Sequence, residues 1–140
     1  MIDLQNHTIA SDGELTAEEL VDLAVERKLS TIAITDHDSL DSVGKAIEYA
    51  EGKDIEIVSG VELSCDDPLF DYDKIDVLGL LIDFENKELV KLVKHINDSS
   101  AFIAKEELLN HLGKIARSDK YVESVGKIGC DKRRGGHGRG

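Results

Sequence analysis

Four residues carry most of the chemical potential of this 140-residue chain: His7, Asp12, His37 and Glu62. Three lie in polar clusters, Gln5-Asn6-His7, Ser11-Asp12-Gly13 and Asp36-His37-Asp38, and Glu62 lies within the apolar strand segment VSGVEL. Asp76, inside the apolar run IDVLGLLI, is a third carboxylate, placed like Glu62. Imidazole and carboxylate together suit zinc, manganese or iron better than calcium. Two such ions can clamp a phosphate and lower the pKa of a bound water toward ~7, which yields hydroxide at neutral pH. Each piece also has an ordinary alternative. His7 alone can cap a loop, Asp12-Gly13 alone is a common turn, and Asp38 alone reads as the N-cap of a helix. Glu62 and Asp76 are different, because a charge in an apolar strand is costly without a partner. His95 and His111 fall on predicted helices and read as surface or packing residues, and His137 lies in a Gly-rich tail.

The elements around these residues determine whether they can meet. Ile2 to His7 reads as a short strand. Thr16 and Glu19 form a T-x-x-E capping box that opens a helix with Ala17, Leu20, Val21 and Ala24 on one face. The β-branched run Thr31 to Thr35 predicts a buried strand that stops at Asp36-His37-Asp38. A second helix is predicted over about 39 to 51, with Gly52 as its stop. Ile55 to Leu63 and Ile75 to Ile82 predict two further strands. Leu89, Leu92, Val93 and Ile96 mark a third helix, and Leu108, Leu109, Leu112, Ile115 and Ala116 a fourth. Apolar strands alternating with amphipathic helices imply an α/β fold with a parallel sheet covered on both faces. Right-handed crossovers would gather the C-terminal strand ends on one edge. The polar clusters fall at those ends, where parallel α/β folds build their sites. On a strand, residues 5 and 7 share a side, and His37 points away from Asp36 and Asp38.

Bulk properties narrow the classes. A formal charge of -12 argues against passive attraction to nucleic acid and suits cation binding. With 41% hydrophobic residues, only 4% aromatics and no Trp, the core must be aliphatic. Cys65 and Cys130 lie far apart with no CxxC, so neither a disulfide framework nor a Cys-rich zinc site is expected. The opening MIDLQNHTIASDG lacks an apolar signal region, and no apolar run approaches the ~20 residues of a membrane span. A cytoplasmic protein without membrane partners is the expectation. The end, 129–140, is basic and Gly-rich and is expected to be a disordered tail behind a domain of residues 1–128.

MIDLQNHTIASDGELTAEELVDLA resembles the opening motif D-L-H-x-H-T-x-x-S-D-G of the PHP (polymerase and histidinol phosphatase) family. TIAITDHDSLDSV resembles its second motif, IVSGVELS its third, and KIDVLGLLID the segment that in the family reads with a His before I-L-G; the match is densest over residues 1–97. The resemblance is greatest to members that hydrolyse nucleoside 3′,5′-bisphosphates or trim RNA 5′ ends. It implies a distorted (β/α)7 barrel, here partial with about four mostly parallel strands, and up to three divalent ions (Mn, Zn or Fe). His7 and Glu62 then match ligands of one metal group, with Glu62 bridging, and Asp12 and His37 match ligands of another. Gln5 and Asp76 stand where the family has His, so they enter only as substitute ligands, and fewer ions are expected. The later family motifs have no counterpart after residue 100, and a whole barrel needs roughly 200 residues. A fragment, a degraded relative, or a half completed by a partner chain or a second copy is therefore expected. The implied activity is hydrolysis of phosphomonoesters through metal-bound hydroxide, on a phosphorylated small molecule, nucleotide or RNA end, with no role for duplex DNA. The alternative is a metal- or phosphate-binding module without turnover.

Overall fold

The computed structural model describes residues 1–66, 75–98 and 103–118. The element order is β1 (Ile2–Asn6), α1 (Ala17–Glu26), β2 (Thr31–Ile34), α2 (Asp41–Tyr49), β3 (Glu56–Asp66), β4 (Ile75–Leu80), α3 (Lys87–Asp98), β5 (Ile103–Ala104) and α4 (Lys105–Ser118). The predicted disordered tail and Cys130 lie outside the described residues.

The α1 capping box forms as expected: Glu19 N–H donates to Thr16 Oγ1 at 3.1 Å, and Thr16 N–H donates to Glu19 Oε2 at 2.9 Å. α2 corrects one expectation, because Asp38 is not its N-cap. The helix begins at Asp41 after Leu40, which makes no side-chain cap bond. Asp38 instead takes a left-handed backbone (φ 48°), and its Oδ1 accepts the Ser64 N–H at 2.8 Å. The carboxylate is thus spent on β3, and the chain needs two more residues to turn into the helix.

The sheet runs β1-β2-β3-β4, with β5 also against β3. β1, β2 and the first half of β3 are parallel, in the register Ile2↔Thr31 and Thr31↔Glu56. The second half of β3 pairs with β4 antiparallel, from Gly60↔Leu80 to Cys65↔Ile75. The sheet is therefore mixed, not wholly parallel. A parallel β3–β4 pair would need a crossover of a dozen or more residues, and only residues 67–74 separate the strands.

Helices cover one face rather than two. Val21, Ala24, Ile32, Ile34, Val43 and Ala46 form one core between α1, α2 and β2, with Ile57 packed against it. Val61, Leu63 and Cys65 of β3 join Leu89, Leu92, Val93, Ile96 and Leu108 of α3 and α4 in a second core. These β3 residues are all odd-numbered. Strand alternation turns Val58, Gly60, Glu62 and Ser64 to the opposite face, which is the inner side of the curled sheet. Curling lets this face bury part of itself, and Ala33, Thr35 and Ser64 are all but inaccessible. The outcome is an α/β half-barrel with its polar residues inside.

Candidate metal centre

β1 ends at Asn6 and delivers His7 to the inner face. A tight loop, 8–13, then folds back on it: Ser11 and Gly13 both donate backbone N–H to Thr8 O, at 3.1 and 2.9 Å. Gly13 is required here by close approach. A Cβ at this position would lie 2.2 Å from His7 O. The loop brings Asp12 to the His7 ring, with Nδ1 and Asp12 Oδ1 2.6 Å apart. The other ring nitrogen, Nε2, lies 2.8 Å from Glu62 Oε2.

His37 reaches the same place from the end of β2. It forms an isolated parallel bridge with Glu62, flanked by Glu62 N–H donating to Asp36 O at 3.1 Å and Asp38 N–H donating to Glu62 O at 2.9 Å. Its Nε2 stands 3.4 Å from Asp12 Oδ2 and 3.8 Å from Glu62 Oε2. The two imidazoles meet edge to face, centroids 4.5 Å apart. His37 Nδ1 is buried and has no hydrogen-bond partner among the described residues. His7, His37 and Glu62 each offer one ligand atom, and these atoms lie within 4.8 Å of one another.

All four residues read from the sequence therefore converge. Glu62 forms the floor, with its side chain 10% exposed, and Asp12 the open rim at 63%. Crowding by its surroundings disfavours the Asp12 charge. The His7 hydrogen bond and the electrostatic attraction of His7 and His37 outweigh that and hold the carboxyl below its ordinary 3.8. The substitute positions behave differently. Gln5 enters the cluster as a donor, its Nε2 giving a hydrogen bond to Glu62 Oε2 at 3.3 Å. Asp76 sits on β4 opposite Ser64, on the face that carries Glu62, and accepts the Ser64 hydroxyl at 3.2 Å. His95 is exposed on α3, and His111 Nδ1 lies 2.9 Å from Glu107 O one turn back on its own helix.

Sequence reasoning missed a buried layer beneath the cluster. Asp36 is fully buried. Its Oδ1 accepts the Thr8 N–H at 2.6 Å and the Ser11 hydroxyl at 2.7 Å, and its Oδ2 accepts the Thr8 hydroxyl at 2.8 Å. Thr8 Oγ1 also lies 2.7 Å from Ser42 Oγ of α2. The available signal was a charge at the end of the apolar run TIAIT, which had to find partners. The hydroxyls of Thr8 and Ser11, beside His7 and Asp12, were the candidates.

Residues 3–130 match the PHP domain family. The chain belongs to that family. A 5′-3′ exoribonuclease, Rnm of Escherichia coli (strain K12), is 42% identical over 83 residues, 58% of this chain and 27% of that protein. A 3′,5′-nucleoside bisphosphate phosphatase of Chromobacterium violaceum is 33% identical over 129 residues, 92% of this chain and 40% of that protein. The solved structure of a Chromobacterium violaceum amidohydrolase, with sulfate bound and no metal, superposes with a TM-score of 0.63 at 30% identity, covering 92% of this chain and 40% of that one. The PHP chain thus spans well under half the length of these relatives. Among its described residues no helix is long and apolar enough to cross a membrane.

Proposed function

We propose that this PHP chain carries the ion-binding part of a metal-dependent phosphoesterase that acts on phosphomonoesters of nucleotides or RNA ends. One observation carries the proposal: His7, His37 and Glu62, from three separate strands or strand ends, bring ligand atoms within 4.8 Å of one another. Two imidazoles and a carboxylate are a fitting donor set for zinc, manganese or iron, and three protein ligands leave a position open for water or substrate. When bound, a divalent ion supplies an acidified water and polarises a phosphoryl oxygen.

The chain's own side chains divide the remaining work. Glu62 and His37, locked together by backbone pairing, hold the inner side of the site. His7 is oriented by carboxylates at both ring nitrogens. Asp12 stands at the rim, so a phosphate ester approaches from its side. The names of the relatives, an exoribonuclease and a nucleoside bisphosphate phosphatase, support a nucleotide or RNA substrate, and the sulfate in the Chromobacterium structure supports a tetrahedral oxyanion.

A non-catalytic ion-binding role is the second reading, favoured by Gln5. Its amide occupies Glu62 Oε2 as a neutral donor and adds no imidazole. One experiment separates the two. The chain is titrated with manganese and with zinc in a calorimeter, then assayed for phosphate release from a nucleoside 3′,5′-bisphosphate. Ion binding with release supports the enzyme, and binding without release selects the second reading. Absence of binding by either ion removes both.

A further inference from the structure

We infer that Asp36 is a positioning residue: its buried carboxylate sets the placement of His7 and Asp12 relative to His37 and Glu62, which its backbone holds. This presupposes the ion-binding role proposed above. The connectivity is the basis. Thr8, whose N–H and hydroxyl both donate to Asp36, directly follows His7. Ser11, whose hydroxyl donates to Asp36 Oδ1, directly precedes Asp12. Asp36 itself directly precedes His37, and its carbonyl accepts the N–H of Glu62. Each of the four side chains is thus joined to Asp36 either through a single peptide bond next to one of its partners or by a direct backbone hydrogen bond.

The charge matters because of what it accepts. The carboxylate takes three donors on two oxygens, and hydrogen bonds to an ionised acceptor are roughly twice as strong as neutral ones. It also sets the direction of the chain of hydroxyls behind it. The single Thr8 hydroxyl proton is given to Asp36, so Ser42 of α2 must donate to Thr8 Oγ1. Thr8 Oγ1 accepts the Ala10 N–H as well, at 3.1 Å, which curls the loop toward Asp12. An asparagine in place of Asp36 keeps the volume but removes the charge, and with its oxygen at the Oδ1 position its NH2 faces Thr8 Oγ1, which must then accept and so reverse its bond with Ser42. The 8–13 loop would then loosen while β2 and β3 stay paired.

The test uses the whole chain and three variants, with zinc and manganese titrated by calorimetry and the absorption bands of bound cobalt(II) as a report on ligand geometry. Asp36→Asn is expected to bind roughly 10–100-fold more weakly, as for other supports behind metal ligands, with shifted cobalt bands. Ser11→Ala removes one donor at a half-exposed position, and is expected to fold and to shift both readouts in the same direction by less. Val21→Ala, a core truncation on α1, should lower stability and leave affinity and spectrum unchanged. If the parent chain binds no ion, the ion-binding role falls and this inference with it. If the parent binds and both Asp36→Asn and Ser11→Ala match it in affinity and spectrum, the positioning role alone is overturned. Should Asp36→Asn fail to fold, Ser11→Ala decides by the same criterion.

Discussion

Replacing Gly13 by alanine places a methyl carbon 2.2 Å from His7 O, 2.5 Å from His7 C and 2.8 Å from Thr8 Cα. All three are backbone atoms, so no side-chain rotation relieves the overlap. Reaching an ordinary contact needs a retreat of more than ~1 Å, which in turn stretches the Gly13 N–H bond to Thr8 O, now 2.9 Å. Overpacking of this kind costs about 1–3 kcal/mol, and a lost backbone hydrogen bond about 1 kcal/mol more. The expected destabilisation is therefore about 2–4 kcal/mol, which at this chain length lowers the melting midpoint by roughly 6–15 °C. The retreat also drags Asp12 from His7, so zinc affinity should fall at least about tenfold. Denaturant unfolding followed by circular dichroism, with calorimetry for zinc, gives both numbers. Gly52→Ala is the matched control: φ is +77° and nothing lies within 4 Å of the new Cβ. It should cost about 1 kcal/mol of backbone strain and leave zinc affinity untouched. A Gly13→Ala protein as stable as the parent, with the parent's zinc affinity, would refute the claim that this loop is wound tightly on His7.

Three further outcomes are expected. Leu63→Ala, at a 2% exposed position of the second core, should cost about 2–5 kcal/mol in urea unfolding; a loss below about 1 kcal/mol contradicts that packing. Thr16→Ala removes the α1 capping box and should cost about 1 kcal/mol, with no change expected in ion binding. Asp12, observed by NMR of its carboxyl in the ion-free protein, should titrate below 3.8, and His7→Gln should move the midpoint upward. Because the folded value is the depressed one, the contact stabilises the fold above the unfolded value and fades as pH falls through the folded one. A midpoint at or above 3.8 in the parent chain contradicts the geometry.

Much of this was legible in the sequence because it followed strong local rules. The capping box at Thr16, the apolar faces of the helices and the β-branched run of β2 fall where expected. The convergence of the four proposed ion-binding residues follows because strand order places their strand ends together. What escaped depended on partners distant in the chain. Asp38 carries an N-cap residue type, yet the Ser64 amide won its carboxylate. β5 spans two residues and has no period to detect. The antiparallel β4 was implicit in the short β3–β4 connection, but the strand–helix alternation of the first half outweighed it. Asp36 was read only as pointing away from His37. That direction is correct, and its importance lies in what it meets there.

The double allegiance of β3 divides the donor set by stiffness. Glu62 is clasped by His37 on one flank and by Leu78 of β4 on the other, so these two donors move only if the sheet itself deforms. His7 and Asp12 hang on a short loop whose shape depends on hydroxyls and one glycine. A change of preferred ion, with its different radius, would therefore be written into residues 8–13 first, leaving the sheet as an unaltered template. Laboratory selection for a new metal should enrich substitutions in that stretch before touching β2 or β3.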